Sequence, residues 1–495
     1  GTLNLNSNVN NTTIGVILAD NGVVLQSTQR VTGGAINSVN GGVFRVTSSA
    51  TNYLDATTIG GTLDMATLVN SRERAVNGLT VNGTVNINNN GILSLEGGQA
   101  LAGNGSIVFG NTGAGNRLDL DGNGTSTIGS NVTIRGENGN IGGQINIGGT
   151  HTLVNNGTIN SDGGGLIRVN TDGTLTNHGT LRAQNGTLTI DNGVTGSGTL
   201  QVDASGVMNL TNAANTQGRL VMGAAGSTLN IGTQNLTINS DYTNVAAGAG
   251  NAFNRRAGVS GLGQIVAGGD VAQVITGAGV SNGATTNATL TINNVRVGDT
   301  TFNYQIANNG TTGPALRGAV QTSVNGANLS DARLSGSGVT AGNYNTGAPG
   351  NNTGNLGVTF SAARAGALAP LSAQGLNLRS NFENIPDQKL NIVLASNAAA
   401  YNAAVGSAGS PVLVANQRVG GSNTATVTVS NTAAAGAFSE DLNVSVGGSS
   451  GATGSGTITG RLAGTSNTGS GSITVGGLDT STAGAKSGTV TLAYE

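Results

Sequence analysis

A short phrase, Gly-Thr followed by an aliphatic residue, recurs through the first half of this 495-residue chain. The phrase occurs at Gly61–Leu63, Gly83–Val85, Gly157–Ile159, Gly173–Leu175, Gly179–Leu181, Gly186–Leu188 and Gly198–Leu200. Around these phrases hydrophobic and polar residues alternate, as in LTVNGTVNINN, and Gly and Asn recur between the alternating strings. Alternation at every second residue is typical of half-buried strands, and Gly and Asn tolerate the backbone angles of tight bends. The repeat therefore predicts short strands joined by sharp turns.

Composition separates a folded chain from a disordered one. Hydrophobic residues make up 36% of the sequence, charged residues make up 8%, and the formal net charge is −2. Disordered chains usually combine few hydrophobic residues with a high net charge, which is the opposite balance. We therefore expect a folded, all-β protein.

The spacing of the phrases favours stacked coils over hairpins. Comparable phrases begin at Thr152, Thr174 and Thr199, and repeats of 20 to 50 residues are typical of solenoids. We predict a parallel β-helix over residues 1–245, with about eleven coils and a length of roughly 50 Å. Leu153, Leu175 and Leu200 are expected to point inward in neighbouring coils. A β-sandwich built of hairpins is the alternative for this half.

The second half has a different organisation. Residues 246–287 are rich in Gly and Ala and are predicted to be a junction. Arg296-Val297-Gly298 is repeated as Arg418-Val419-Gly420, and Gly336-Ser337-Gly338 is repeated as Gly454-Ser455-Gly456. This repeated order predicts two copies of one immunoglobulin-like β-sandwich module, at residues 288–407 and 408–495.

The second module is expected to lack its last strand. Module 1 continues through the predicted strand Lys389–Ala395, whereas module 2 reaches Glu495 soon after Thr489–Ala493. An unpaired sheet edge is a template for another chain, and Gly1–Asn8 (GTLNLNSN) alternates like a strand. Head-to-tail assembly by strand donation is one explanation, and a chain cut short is the other. Because the chain begins with Gly1 rather than Met, we expect an excised piece of a longer precursor.

Composition also limits the classes of partner. The 20 basic residues are scattered, which argues against nucleic acid, and the densest groups, Arg72-Glu73-Arg74 and Arg255-Arg256, are expected to be solvated turns or linkers. The chain has no Cys, which excludes disulfides, Cys-ligated zinc and a thiol nucleophile. No apolar run reaches the roughly 18 residues of a membrane span.

One sequence resembles a calcium loop. In DLDGNG, Asp119, Asp121 and Asn123 occupy the first, third and fifth positions of that pattern, which makes them candidate calcium ligands. Ser130 stands at the twelfth position, where the pattern requires Glu, so a polar turn between strands is the competing interpretation.

Other candidates for chemistry are sparse. His151 and His178 lie 27 residues apart, near the coil spacing, and are interpreted as exposed turn residues rather than as a metal site. Arg117, Asp119 and Asp121 form the best local cluster for a carbohydrate-active β-helix. The chain has no Trp and only 3% aromatic residues, so no catalytic residue, no cofactor and no enzyme activity are predicted.

The C-terminal part, Asp441–Glu495, resembles the choice-of-anchor D type of bacterial surface module, most closely in LDTSTAGAKSGTVTL. The repeats of the first half are similar to the β-strand-repeat passengers of autotransporter-like exported proteins. The resemblance implies a secreted or cell-surface protein and supplies no catalytic motif.

Together these features predict an extracellular structural protein of a bacterial surface layer, fibre or biofilm matrix, whose partners are further copies and cell-envelope or matrix components. The alternative is an adhesin whose rod presents a glycan- or protein-binding face.

Overall fold

A computed structural model describes residues 1–12, 14–112, 115–211, 214–283, 287–324, 327–328, 331–372 and 375–495. In these residues nearly all regular structure is β. None of their helices is long and apolar enough to cross a membrane. The strands of the first part are β1 Thr2–Leu5, β2 Val9–Asn10, β3 Val16–Asp20, β4 Val23–Gln26, β5 Arg30–Thr32, β6 Ala35–Val39, β7 Val43–Val46, β8 Tyr53–Ile59, β9 Thr62–Met65, β10 Arg72–Val81, β11 Thr84–Ile87, β12 Ile92–Glu96, β13 Ala100–Ala102, β14 Ser106–Phe109, β15 Arg117–Asp121, β16 Gly124–Ile128, β17 Thr133–Gly136, β18 Gly139–Ile141, β19 His151–Asn155, β20 Thr158–Ser161, β21 Leu166–Val169, β22 Leu175–Asn177, β23 Thr180–Ala183, β24 Thr187–Ile190, β25 Val194–Thr195, β26 Thr199–Val202, β27 Val207–Leu210, β28 Asn215–Met222, β29 Thr228–Asn230, β30 Leu236–Asn244, β31 Val259–Ser260 and β32 Ile265–Ala267.

These strands form a parallel β-solenoid, as the sequence predicts. The longest sheet contains, in order, β1, β4, β7, β9, β11, β14, β17, β20, β23, β26, β28, β30 and β32, and we name it face A. The remaining strands make two further faces: face B contains β2, β5, β12, β15, β18, β21, β24, β27, β29 and β31, and face C contains β3, β6, β13, β16, β19, β22 and β25. The long, bent strands β8 and β10 take part in both of these faces.

The interior of face A is a ladder of stacked side chains. From β4 to β26, each strand turns its second residue inward onto the equivalent residue of the next coil. The buried ladder contains Val24, Phe44, Leu63, Val85, Ile107, Ile134, Ile159, Leu181, Leu200, Leu220 and Tyr242. From β1 to β30 this face has twelve strands, so eleven spacings of about 4.8 Å give a stack about 53 Å long.

The predicted inward ladder is partly wrong in its register. Leu153, Leu175 and Leu200 are all buried. β19 and β22 pair so that Leu153 stacks with Leu175 on face C. Leu200, in contrast, stacks with Leu181 on face A. The same alternating phrase serves different faces, so equal spacing along the chain did not identify the face.

The solenoid extends beyond the predicted end at residue 245. After β30 the chain makes two 3₁₀ turns, Val245–Ala247 and Gly250–Ala252, and then returns to the stack as β31 and β32. β32 pairs in parallel with the first half of β30. Part of the segment predicted as a junction therefore belongs to the last coil.

Module 1 is a β-sandwich that also begins inside the predicted junction. Its strands are β33 Gln273–Thr276, β34 Val280–Asn282, β35 Asn287–Ile292, β36 Val295–Arg296, β37 Gly298–Asn308, β38 Leu316–Gln321, β39 Ser323–Val324, β40 Ala327–Asn328, β41 Leu334–Ser335, β42 Gly342–Gly347, β43 Leu356–Ala362, β44 Gly366–Ala367, β45 Gly375–Ser380, β46 Gln388–Leu394 and β47 Ala399–Tyr401. One main sheet has the order β33-β37-β43-β41, and the other has the order β34-β35-β46-β45-β38-β42.

Module 2 repeats this plan with fewer strands. They are β48 Gly406–Ala408, β49 Thr424–Val427, β50 Val429–Asn431, β51 Leu442–Ser450, β52 Thr453–Ser455, β53 Thr457–Arg461, β54 Ser470–Gly471, β55 Ile473–Gly476 and β56 Thr489–Tyr494. Its sheets have the orders β49-β55-β52 and β54-β53-β51-β56, with a small β48-β50 pair beside them.

Module 1 closes the last coil of the solenoid. Phe382 is packed into the solenoid core, with Leu316 and Ile385 in the same cluster. Asn384 accepts a hydrogen bond from the N–H of Ala267 at 2.9 Å and donates one to its carbonyl at 3.0 Å. The side-chain amide of Asn384 thus makes the two hydrogen bonds that the backbone of a further strand would make.

The basic pair predicted to be a linker contributes to this closure. Arg255 lies 3.2 Å from Asp387, and Arg256 lies 2.9 Å from Glu383. Both arginines lie in a turn, are partly buried and join the last coil to module 1, so the expectation that they are merely solvated is wrong.

Candidate functional site

A group of charged side chains lies on the outer side of β15. Leu118 and Leu120 point into the core, so Arg117, Asp119 and Asp121 share the opposite surface. The strand register places Asp119 next to Ser94 of the preceding coil. Residues of this cluster are the ones that the sequence analysis gave as candidates for calcium binding or carbohydrate chemistry.

Both carboxylates are buried although they are on the outer surface. Asp119 has no exposed area, and only 1% of Asp121 is exposed. The cover is the segment 142–150, which connects β18 to β19 and folds back over β15. Its Asn146 reaches two coils back and donates to Oγ of Ser94 at 2.9 Å. We call residues 142–150 the cover segment.

Asp121 holds the cover segment in place. Its Oδ1 accepts from the backbone N–H of Ile145 at 2.9 Å and of Asn146 at 3.2 Å, and its Oδ2 accepts from the side-chain amide of Asn146 at 2.8 Å. These three hydrogen bonds tie the carboxylate of Asp121 to the cover segment. Asn123, which is exposed, accepts from the N–H of Thr150 at 2.8 Å.

Asp119 is in a different environment. Its Oδ1 accepts from Nε of Arg117 at 2.7 Å, whereas its Oδ2 is buried with no hydrogen-bond partner. Burial raises the pKa of Asp119 to about 6, the charge of Arg117 opposes this shift, and the charge of Asp121 adds to it. Two carboxyl groups on one strand therefore have different hydrogen-bonding environments.

These contacts bear on the candidate calcium loop. The oxygens of Asp121 and Asn123 face N–H donors, whose positive ends disfavour a cation at the same place. Among the residues that the structure describes, no group of three or more His, Asp or Glu side chains is arranged to hold a metal ion. Calcium binding at Asp119, Asp121 and Asn123 stays a prediction, and the contacts give Asp121 and Asn123 a role in anchoring the cover segment.

The two histidines are not equivalent. His151 begins β19 and is only 3% exposed, which differs from the exposed turn that the sequence suggested. Its Nδ1 lies 2.9 Å from Oδ2 of Asp172 and 2.6 Å from Nε2 of Gln144. His178 is exposed, with its Nδ1 3.0 Å from Oγ of Ser197. A buried imidazole beside a carboxylate is a pair that orients a histidine ring, and no described nucleophile is bonded to this ring.

Glu73 is a buried acid that sequence reasoning placed in a solvated turn. It lies inside β10 with no exposed area, and both carboxyl oxygens lack a hydrogen-bond partner. Its register neighbour is Leu93, so the carboxyl group sits within the aliphatic core. Burial raises the pKa of Glu73 well above its ordinary value. The alternation Arg-Glu-Arg is the sequence signal that could have revealed an inward-pointing position.

Fold and site together define an all-β protein with a capped parallel β-solenoid followed by β-sandwich modules. No family model matches the chain, and no curated protein matches it. A solved structure of a protein of unknown function from Porphyromonas gingivalis W83 is 9% identical to it, over 41% of this chain and 82% of that one, with a TM-score of 0.15. A likeness at this TM-score carries no inference about fold or function.

Proposed function

We propose that this chain is an extracellular structural protein of a bacterial surface layer, fibre or biofilm matrix, in which the solenoid is a stiff spacer. The observation that supports the proposal is the continuous stack of face A, which runs from β1 to β30 and is closed by module 1 through a shared core. Backbone hydrogen bonds between coils and aliphatic ladders within them resist bending without any reactive group.

Charged side chains on the outer surface support the same role. Arginine–carboxylate pairs link successive coils, as in Arg45 with Asp64 at 2.6 Å and Arg135 with Asp162 at 2.9 Å. An exposed pair such as Arg135 with Asp162 contributes at most about 1 kcal/mol. The main effect of these pairs is to match the charges of adjacent coils, which keeps the surface nearly neutral along the rod.

An adhesin is the second candidate, and one observation favours it. On β3 the side chains of Val16 and Leu18 point outward and are 53% and 51% exposed. An exposed apolar patch is typical of a contact surface for another macromolecule. The patch contains no aromatic side chain of the kind that stacks on sugars, so a protein ligand fits it better than a glycan.

Electron microscopy of material released from the native cells tests the proposal. Fibres or lattices labelled by an antibody against the solenoid are expected for a structural protein. Single rods held at the cell surface, together with binding of the purified chain to host proteins that Val16→Asp abolishes, would favour the adhesin. A purified chain that shows no rod of about 53 Å would contradict the stiff-spacer model itself.

A further inference from the structure

Most arginine side chains of this protein lie beside a carboxylate. Fourteen arginines form ion pairs with Asp or Glu. Among the described residues, the arginines without such a pair are Arg72, Arg364, Arg418 and Arg461. Arg364 and Arg418 are exposed and Arg72 is half-buried, so water can hydrate them. Arg461 is only 7% exposed, which makes it the unpaired arginine that the fold removes furthest from water.

Arg461 points toward the interior of module 2. It is the last residue of β53 and lies opposite Leu442 of β51, whose side chain is buried in the module core. Residues directly opposite each other on antiparallel strands project to the same face of the sheet. The guanidinium group therefore lies on the inner side. β53 pairs with β51 on one side and with β54 on the other, so this placement does not involve a free sheet edge.

The guanidinium group of Arg461 has no hydrogen-bond partner among the residues that the structure describes. Its Nε is buried and unbonded. The backbone carbonyl of Arg461, in contrast, accepts a hydrogen bond from Nδ2 of Asn431 at 3.1 Å. The main chain is thus held in place, while the charged end of the side chain is left without a partner.

The nearby acids of module 2 do not compensate this charge. The same amide of Asn431 donates to the backbone carbonyl of Glu440, but the carboxylate of Glu440 is bonded to Nε of Arg296 in module 1, at 2.9 and 3.0 Å. Asp441 is exposed, and neither acid forms an ion pair with Arg461. The loop 432–437, which follows β50, contains only Thr, Ala and Gly and adds no charge.

A buried cation without a partner is strongly unfavourable. Lysine or a carboxylic acid can escape this cost by losing its charge, but the guanidinium group of arginine stays protonated in proteins. An anion from outside the chain removes the cost instead. The planar fork of N–H groups fits an oxyanion best, because it can donate two parallel hydrogen bonds to two oxygens.

We propose that Arg461 is the central residue of an anion-binding site in module 2, and that its ligand is a single oxyanion group. The group is carried either by a small free ion, such as inorganic phosphate, or by an acidic polysaccharide, since both present oxygens to the same fork. The site is separate from the solenoid, so it does not depend on the proposed role of the solenoid as a spacer.

The first experiment measures binding to the intact chain. Inorganic phosphate is titrated by calorimetry at constant ionic strength in sodium chloride, and saturable binding is expected. Arg461→Met, which keeps a long side chain without charge, is expected to weaken binding at least about tenfold. Arg461→Lys is expected to weaken it less, because the ammonium group keeps the charge but not the fork. Arg418→Met removes an exposed, unpaired arginine of the same module and is expected to leave binding unchanged.

The same titration with polygalacturonate separates the two sources of the oxyanion. Binding of phosphate assigns the site to a free ion. Binding of polygalacturonate without phosphate, again weakened in Arg461→Met, assigns it to an acidic polysaccharide. If neither probe binds, or if the unmodified chain and Arg461→Met bind equally well, the proposal is overturned.

Stability gives a second readout that needs no bound ligand. In phosphate-free buffer Arg461→Met is expected to raise the folding equilibrium constant of module 2 at least about tenfold relative to Arg418→Met, because it removes an unpaired buried charge. Saturating phosphate is expected to reduce this difference, since it stabilises only the chain that binds it. Hydrogen exchange of backbone amides in β51 and β53 measures both effects. An Arg461→Met variant that is less stable in both buffers would show that the side chain serves packing alone and would contradict the site.

Discussion

Nδ2 of Asn155 donates a hydrogen bond to Oδ1 of Asn177 at 2.7 Å, and both side chains are fully buried in successive coils of the solenoid. Asn177 in turn donates to Oε1 of Gln217 at 2.7 Å. The coil between Asn177 and Gln217 contributes Gly196. Its positive φ and lack of a side chain leave room for the hydrogen bond between these two amides. A line of amides thus runs through one corner of an otherwise aliphatic interior.

Removing the central amide is expected to destabilise the solenoid. Asn177→Ala leaves Oε1 of Gln217 buried without this donor and removes the acceptor from Asn155. The free energy of unfolding is expected to fall by about 2–4 kcal/mol, since buried polar groups lose their partners. Urea unfolding measures the change, and Asn4→Ala, on an exposed position of β1, is expected to change it by less than about 0.5 kcal/mol.

The inward ladder can be tested with a pair of identical substitutions. Leu175 is 1% exposed, and Leu166 is 42% exposed. Leu175→Asp is expected to reduce the free energy of unfolding by more than about 4 kcal/mol, because it removes packing and buries a carboxyl group. Leu166→Asp is expected to be nearly neutral. Equal stability of the two variants would contradict the register of β22.

Stability is expected to depend on pH through Asp119. Its folded-state pKa of about 6 exceeds the ordinary value of 3.8, so between these values the folded chain binds more protons than the unfolded chain. Stability therefore falls as the pH rises through this window, by up to about 3 kcal/mol. Asp119→Asn is expected to remove this part of the slope, which unfolding measured at pH 4 and pH 7.5 would reveal. An unchanged slope in the variant would assign the effect to another group.

Substitution of Glu73 is expected to raise the free energy of unfolding rather than to lower it. Replacing a buried, unpartnered carboxyl group by an aliphatic side chain of similar size removes a desolvation cost. Glu73→Leu is therefore expected to raise the free energy of unfolding at neutral pH by about 1–3 kcal/mol. Glu73→Gln keeps a buried polar group and is expected to gain less. A Glu73→Leu variant less stable than the unmodified chain would show that the carboxyl group has a stabilising partner.

The calcium prediction has a measurable outcome at Asp121. Asp121→Ala is expected to lower stability by about 1–3 kcal/mol to the same extent with calcium and with chelator, because the cover segment loses its acceptor. In the unmodified chain, chelator is expected to leave the melting temperature unchanged. A calcium-dependent rise that Asp121→Ala abolishes would establish a metal site.

The alternating phrases predicted the solenoid because inward aliphatic residues are needed at every second position of every coil. They did not predict which face a phrase occupies: Gly173–Leu175 leads into face C, whereas Gly198–Leu200 leads into face A. Alternation is the same on all faces, and the turns that separate them differ in length.

The polar site was less predictable than the fold. Asp119 and Asp121 stood out as acidic residues, but their burial depends on the cover segment, which reaches them from a later coil and bonds as far back as Ser94. Contacts over such separations leave no local pattern. For the same reason the sequence did not reveal the ion pairs of Arg255 and Arg256, whose partners lie about 130 residues further along the chain.

The amide of Asn384, which bonds both backbone groups of Ala267, gives the rod a direction. The exposed end of a parallel β-helix would template another helix of the same kind, and stacks would then grow from both ends without control. Here the last strand of face A, β32, has backbone groups of Ile265 and Ala267 occupied by Glu383 and Asn384. Another solenoid therefore cannot pair with β32 through these groups, so a stack that grows along face A is expected to have two different ends.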